Sequence, residues 1–306
     1  MRKAVVFCAV ILALCMITPF SYAFNLAAEG YSGFYINPTY HIAPSQKSIG
    51  DSSWQKVGLP VLGFHYANLS GKELNNGGLG DGDLAWINVT EGLFDRLEVG
   101  YSYLIFDHDA GCVMVPKLDK NFHIFHTKLA LIKEGEFGLS WMPGISFGYI
   151  YRGAEGGRAL NGPGLGLGEG IYPNVKDSGN DYYFQVGKTI TQLPWPTIVS
   201  VGMRSTNAEL NGLLGFGINR EEVFEGSIAV VPWAGGGKQL LIGYEYKQQP
   251  KYDDWFSIFA ALVYDPHILI SVGFADLGNA KPLKAIGNNA GLNIHHQFVL
   301  GLTYSF

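Results

Sequence analysis

Apolar and polar residues alternate one for one through much of this chain, in segments of roughly ten residues. From Arg96 it reads R-L-E-V-G-Y-S-Y-L-I-F. In an extended chain this places Leu97, Val99, Tyr101, Tyr103 and Ile105 on one face and Arg96, Glu98, Gly100 and Ser102 on the other. Residues 137–151 repeat the pattern, with Phe137, Leu139, Trp141, Ile145, Phe147, Tyr149 and Tyr151 opposite Gly138, Ser140, Gly144, Ser146 and Gly148. Residues 239–247 repeat it again, with Leu240, Ile242, Tyr244 and Tyr246 opposite Gly243, Glu245 and Lys247. Each segment predicts an amphipathic β-strand. Beyond the N-terminus no apolar run approaches the roughly 20 residues of a membrane helix, so the expected class is all-β.

Period two fits both a soluble sandwich, whose apolar face is its core, and a membrane barrel, whose apolar face meets lipid. The connections decide between them. Long ones at 68–81, 107–121, 152–180, 207–221, 248–254 and 277–295 alternate with short ones at 90–95, 133–136, 191–196, 234–237 and 265–267. Short turns at one rim and long loops at the other are what an outer-membrane barrel requires. Six long and five short connections join twelve strands. The prediction is a transmembrane antiparallel β-barrel of about twelve strands over residues 57–306.

The first 23 residues read as a secretory signal peptide: Arg2 and Lys3, an apolar stretch from Ala4 to Ile17, Pro19, and the small-x-small site Ser21-Tyr22-Ala23. Lipoprotein processing at Cys15 fits less well, because Leu14 stands where a small residue is wanted. Cleavage after Ala23 removes Cys8 and Cys15 and leaves Cys112 alone, with no internal disulfide. Residues 24–56 precede the first strand. As a thirteenth strand they would put the termini on opposite sides, so a plug inside the barrel or a periplasmic segment is expected.

Composition narrows the function classes. Gly contributes 41 of 306 residues, charged residues only 15% and aromatics 14%, which excludes disorder and coiled coil. A formal charge of -5 without a basic block excludes a nucleic-acid partner. The Gly-rich run 161–170 has dinucleotide-like spacings but no strand before it or helix after it. Asp81-Gly82-Asp83 with Asn75 and Asn76 offers oxygen ligands without a calcium-loop spacing. His123 and His126 point to opposite faces of a strand, and His295-His296 would do the same. No metal and no cofactor is expected. Ser140, Ser146 and Ser271 have no His partner readable from spacing, so an enzyme is not expected either.

The polar face carries Arg96, Glu98, His126, Lys128, Gln185, Arg204, Glu225, Glu245 and Lys247 among small residues, and these are the candidate lumen residues. A porin would oppose such charges across a wet path, whereas a sealed barrel would pair them. The small neighbours suggest open space.

Phe298, Leu300, Leu302, Tyr304 and Phe306 alternate with Val299, Gly301, Thr303 and Ser305. This resembles the C-terminal signal of bacterial outer-membrane proteins, which the barrel-assembly machinery reads. A second resemblance spans most of the chain: Glu29-Gly30-x-x-Gly33 leading to Asn37-Pro38, Gly92-Leu93-Phe94-Asp95-Arg96-Leu97-Glu98, Asp181-Tyr182-Tyr183, Asn211 to Gly217, Phe224-Glu225-Gly226-Ser227, Tyr252-Asp253-Asp254-Trp255 and Asp276-Leu277-Gly278-Asn279. These stretches are similar to an uncharacterised Gram-negative family, a domain of unknown function assigned to the outer membrane. That likeness implies the barrel and supplies no reaction or ligand. Asn37-Pro38 also weakly resembles the N-terminal plug of fatty-acid and aromatic-hydrocarbon transporters. The expected function is a narrow channel or transporter for a small solute, apolar solutes included. Its alternative is a non-conducting structural or envelope-assembly barrel that binds partner proteins.

Overall fold

The computed structural model describes residues 26, 29, 32–43, 47–48, 56–69, 82–108, 120–155, 176–208, 216–249, 254–276, 279–280, 292–293 and 297–306. The signal peptide, Cys112, the Gly-rich run 161–170 and His295-His296 lie outside them. Among the described residues no helix is long and apolar enough to cross a membrane.

Twelve strands make one antiparallel sheet: β1 (Val61–Leu69), β2 (Gly82–Leu93), β3 (Leu97–His108), β4 (Lys120–Ile132), β5 (Gly144–Ala154), β6 (Ser178–Ile190), β7 (Thr197–Ala208), β8 (Phe216–Gly235), β9 (Lys238–Lys247), β10 (Trp255–Val263), β11 (Ile268–Asp276) and β12 (Gln297–Ser305). Each pairs with its neighbour in sequence, and β12 pairs with β1 from Gln297↔Leu69 to Ser305↔Val61. The sheet therefore closes without an edge, which removes the unpaired backbone groups that lipid would not tolerate. Among the described residues the same sheet also takes in the two-residue strands Lys47–Ser48 and Lys56–Val57, the latter against Leu93, and of the twelve barrel strands the four around the seam, β10, β11, β12 and β1, are the shortest at 9 residues each.

Burial follows the predicted period. Along β7, Ser200, Gly202, Arg204 and Thr206 are buried while Val201 and Met203 are exposed. Along β12, Val299, Gly301 and Thr303 are buried while Phe298, Leu300, Leu302 and Tyr304 are exposed. Phe64, Ile87, Phe125, Phe184, Phe224, Ile242 and Ile258 continue this exposed apolar belt around the barrel. An apolar surface of that extent belongs in hydrocarbon and not in water. The chain is a transmembrane β-barrel.

One turn departs from the sequence pattern. Residues 133–143 are not a short turn followed by a strand: β5 starts at Gly144, and 136–138 form a single 3₁₀ turn. Gly135, Phe137 and Gly138 have φ of 71°, 63° and 72°, a left-handed run incompatible with a strand. Phe137 and Trp141 stand 73% and 66% exposed at this rim. The β8–β9 hairpin turns on Gly236 and Gly237, both at positive φ, as a two-residue primed turn demands.

Candidate functional site

The barrel is occupied by its own N-terminal segment. Residues 32–39 fold into a small hairpin: Phe34 N donates to Asn37 O at 3.0 Å, Thr39 N to Ser32 O at 3.3 Å, and Gly33 bridges Pro38. Leu26, Glu29 and Ser32 to Tyr40 are all buried. Inward-facing charges grip the hairpin by its backbone. Glu98 accepts from Ser32 N at 2.9 Å and Ala43 N at 2.6 Å, and Lys128 donates to Ser32 O at 2.7 Å and Thr39 O at 3.4 Å. Glu245 accepts from Ile36 N at 3.1 Å, Asn37 N at 2.8 Å and the Ser257 hydroxyl at 2.5 Å. The Asn37 amide donates to the carbonyls of Gly226 and Tyr246 at 3.0 and 2.9 Å. Charge-assisted bonds of this type are roughly twice as strong as neutral ones.

Towards the long-loop end the wall from β5 to β9 carries an ion cluster. Arg204 Nη1 holds both Glu29 oxygens at 3.0 and 2.9 Å and Asp181 at 3.4 Å, and its Nε meets Glu225 at 2.6 Å. Arg152 pairs with Asp181 at 2.7 Å and with Glu29. Lys247 lies 3.6 Å from Glu225, whose other oxygen takes Gln185 at 3.1 Å. Near the other end Glu98 is within 3.3 Å of both Lys128 Nζ and His126 Nε2.

Eight sequence candidates thus lie in the interior: Glu98, His126, Lys128, Gln185, Arg204, Glu225, Glu245 and Lys247. Arg96 does not join them. It sits in the β2–β3 turn, 41% exposed, bonded to Glu136 of the next turn. The reason is local: Phe94 and Asp95 adopt φ of 56° and 57°, so β3 begins only at Leu97. Sequence reasoning passed over Arg152 and Asp181 because the first falls inside the long Gly-rich connection 152–180 and the second directly follows it. Their parity with Ser146 and Gln185 points inward. Glu29, Tyr35 and Asn37 carried no such signal.

The expected open space beside the small residues is filled. A Cβ on Gly144 or Gly187 would lie 2.2 or 2.1 Å from the Tyr40 ring, one on Gly148 2.1 Å from Tyr183, and one on Gly100 2.1 Å from His126. These glycines admit large side chains and leave no pore behind them. Gly301 likewise leaves room for both His65 and Ser271, and the Tyr35 hydroxyl donates to Ser271 at 2.7 Å. His123 faces outward to Tyr101 at 2.6 Å and Glu155 at 2.5 Å. Asp83 takes Tyr66 at 2.5 Å and Asn68 at 3.0 Å. Among the described residues no three metal-ligating side chains converge.

Space remains above the hairpin, in the long-loop half. A cavity with an open mouth lies there, lined by both apolar and charged side chains. The apolar part of its lining comes from Leu84, Trp86, Leu104, Phe122, Ile124 and Trp255; Glu29 and Arg152, the latter the cross-strand partner of Ile124, supply the charge, and Tyr35 and Ile36 belong to the lining as well. At the opposite mouth Tyr40 donates to Glu134 at 2.6 Å, and the His41 ring lies 3.9 Å from that of Tyr40, tilted by 32°. Burial pushes His41 down to about 4, the Glu134 carboxylate opposing and the Lys128 ammonium assisting. Outside the strands, the Arg96 guanidinium holds Glu136 below the usual carboxylate range.

Solved structures with related architecture include an outer membrane channel from Pseudomonas putida F1 at 12% identity, covering 87% of this chain and 100% of that one, TM-score 0.46. The KdgM porin in complex with disordered oligogalacturonate is 9% identical over 80% of this chain and 99% of that one, TM-score 0.45. A Salmonella typhi outer membrane phospholipase is 9% identical over 81% and 90%, TM-score 0.41. Identities and scores this low transfer none of their activities. No curated protein matches the sequence. Residues 73–292, most of the barrel, match the family described as "Protein of unknown function (DUF3034)", and the chain belongs to that family.

Proposed function

We propose that this protein is an outer-membrane channel for a small solute, apolar solutes included, with the N-terminal segment as its movable plug. One observation carries the reading: the barrel ladder closes through β12–β1 without the hairpin, so the hairpin can leave without breaking a strand pairing. What holds it is a limited set of side-chain contacts from Glu98, Lys128, Glu245, Arg152 and Arg204. In this reading the leader is removed near Ala23, and the assembly machinery reads Phe298, Leu300, Leu302, Tyr304 and Phe306, whose side chains all stand on the outer surface. Residues 24–56 then enter the lumen and the barrel is shut at rest.

A sealed scaffold for partner proteins is the second reading, and the paired, fully buried charges favour it. Planar-bilayer recordings separate the two. The full chain should be silent or flicker, and the chain lacking residues 24–56 should conduct in discrete steps. Silence of both proteins, each shown to be assembled, would refute the channel.

A further inference from the structure

We propose that the lumen cavity takes small monocarboxylic acids with an apolar body, and that such an acid binds by displacing Glu29 from Arg152 and Arg204, which loosens the plug. The inference rests on the channel reading and names the solute class for the same site. Its first support is a charge count. Among the described residues the barrel's own side chains joined by ion pairs in the cluster are Arg152, Arg204 and Lys247 with Asp181 and Glu225, three cations and two acids. Glu29, from the plug, is the third acid. A departing Glu29 leaves two adjacent guanidinium groups one negative charge short, which is the site a single carboxylate fits. Exchanging one carboxylate for another preserves both the charge and the fork geometry, so it avoids the penalty of a buried unpaired cation.

The second support is the shape and chemistry of the space beside it. Glu29 and Arg152 line the cavity together with Ile124, the cross-strand partner of Arg152, and with Trp86 and Trp255, so an acid seated on Arg152 has apolar surface beside its body. Trp86 Nε1, Trp255 Nε1 and Gln297 Nε2 belong to residues lining this cavity, at 3%, 2% and 3% exposure, and have no hydrogen-bond acceptor among the described residues. A buried donor left without an acceptor has lost its water and gained nothing in exchange. Three donors around one cavity favour a body that carries an acceptor oxygen of its own, a hydroxy or keto acid over a bare hydrocarbon acid.

Calorimetry on the full-length refolded protein tests this with benzoate, acetate and benzyl alcohol. Benzoate should bind at least tenfold tighter than either analogue, because acetate lacks the body and benzyl alcohol lacks the charge. Glu29→Gln, which removes the built-in competitor, should tighten benzoate binding by about tenfold. Should that variant fail to assemble, hydrogen–deuterium exchange of the wild-type plug decides. Benzoate should speed exchange across residues 32–43 if it takes the place of Glu29. Benzyl alcohol binding as tightly as benzoate overturns the acid class, and unchanged or slower plug exchange with benzoate bound overturns the displacement. Benzoate binding with faster plug exchange but without conductance upholds the acid site and removes the channel reading.

Discussion

Replacing Glu98 by Gln tests whether the plug truly lodges in the lumen. Glu98 and Lys128 are both 0% exposed, 3.3 Å apart, and Glu98 also receives the amides of Ser32 and Ala43. Gln keeps the shape and removes the charge. Lys128 is then left with the carbonyls of Ser32 and Thr39 as its acceptors, and breaking a buried pair from one side costs about 3 to 5 kcal/mol. The Gln amide also presents a donor to one of the two plug N–H groups, a further cost of about 1 to 3 kcal/mol. The two share one site and are not additive, so a net loss of about 4 kcal/mol is expected. Urea titration in lipid vesicles, followed by the heat-modifiable band on a gel, measures it. Adding Lys128→Met should restore most of the loss. In the chain lacking residues 24–56 water reaches Lys128, and the same substitution should cost under about 1 kcal/mol, as for a solvated pair. An equal cost with and without the plug segment would refute the latch.

Other outcomes follow from the same geometry. Ile242→Arg, on the exposed belt, should cost about 2 to 4 kcal/mol of folded fraction in vesicles near the midplane, and no cost would refute its lipid facing. Phe306→Ser with Tyr304→Ser should lower the heat-modifiable barrel in cell envelopes, and undiminished assembly would show that this strand is not the signal. The depressed His41 excludes a proton that the unfolded segment accepts, so plug stability is full above about 6.5 and falls as pH drops towards 4. Plug hydrogen exchange, corrected for its intrinsic rate, should accelerate over that window and lose the response in His41→Asn; a flat profile in both proteins would contradict it.

The barrel was legible because period two is a backbone property: the parity of Ser200, Gly202 and Arg204 against Val201 and Met203 needs no knowledge of partners. The rim at 133–143 was not, because Phe137, Leu139 and Trp141 continue that parity while sitting in a turn. Interfacial aromatics and lipid-facing strand residues are equally apolar, and only Gly135 and Gly138 marked the difference. The lumen charges were readable one at a time, and their pairing was not. Glu29 reaches Arg204 across 175 positions, a distance no local pattern encodes. Glycine was misleading for a related reason: the letter shows a missing side chain, and Tyr40 and Tyr183 decide what enters the gap.

The short strands beside the seam bear on the membrane itself. Nine residues at about 3.3 Å each reach roughly 30 Å, and a tilt near 45° reduces that to about 21 Å along the bilayer normal. The opposite wall, with strands of 11 to 13 residues from β2 to β7, is taller. Among the described residues the ladder is thus lower beside the seam than from β2 to β7, near the lower end of what a spanning strand needs. The pairing of the first and last strands that closes the sheet therefore has the fewest residues to carry across the bilayer.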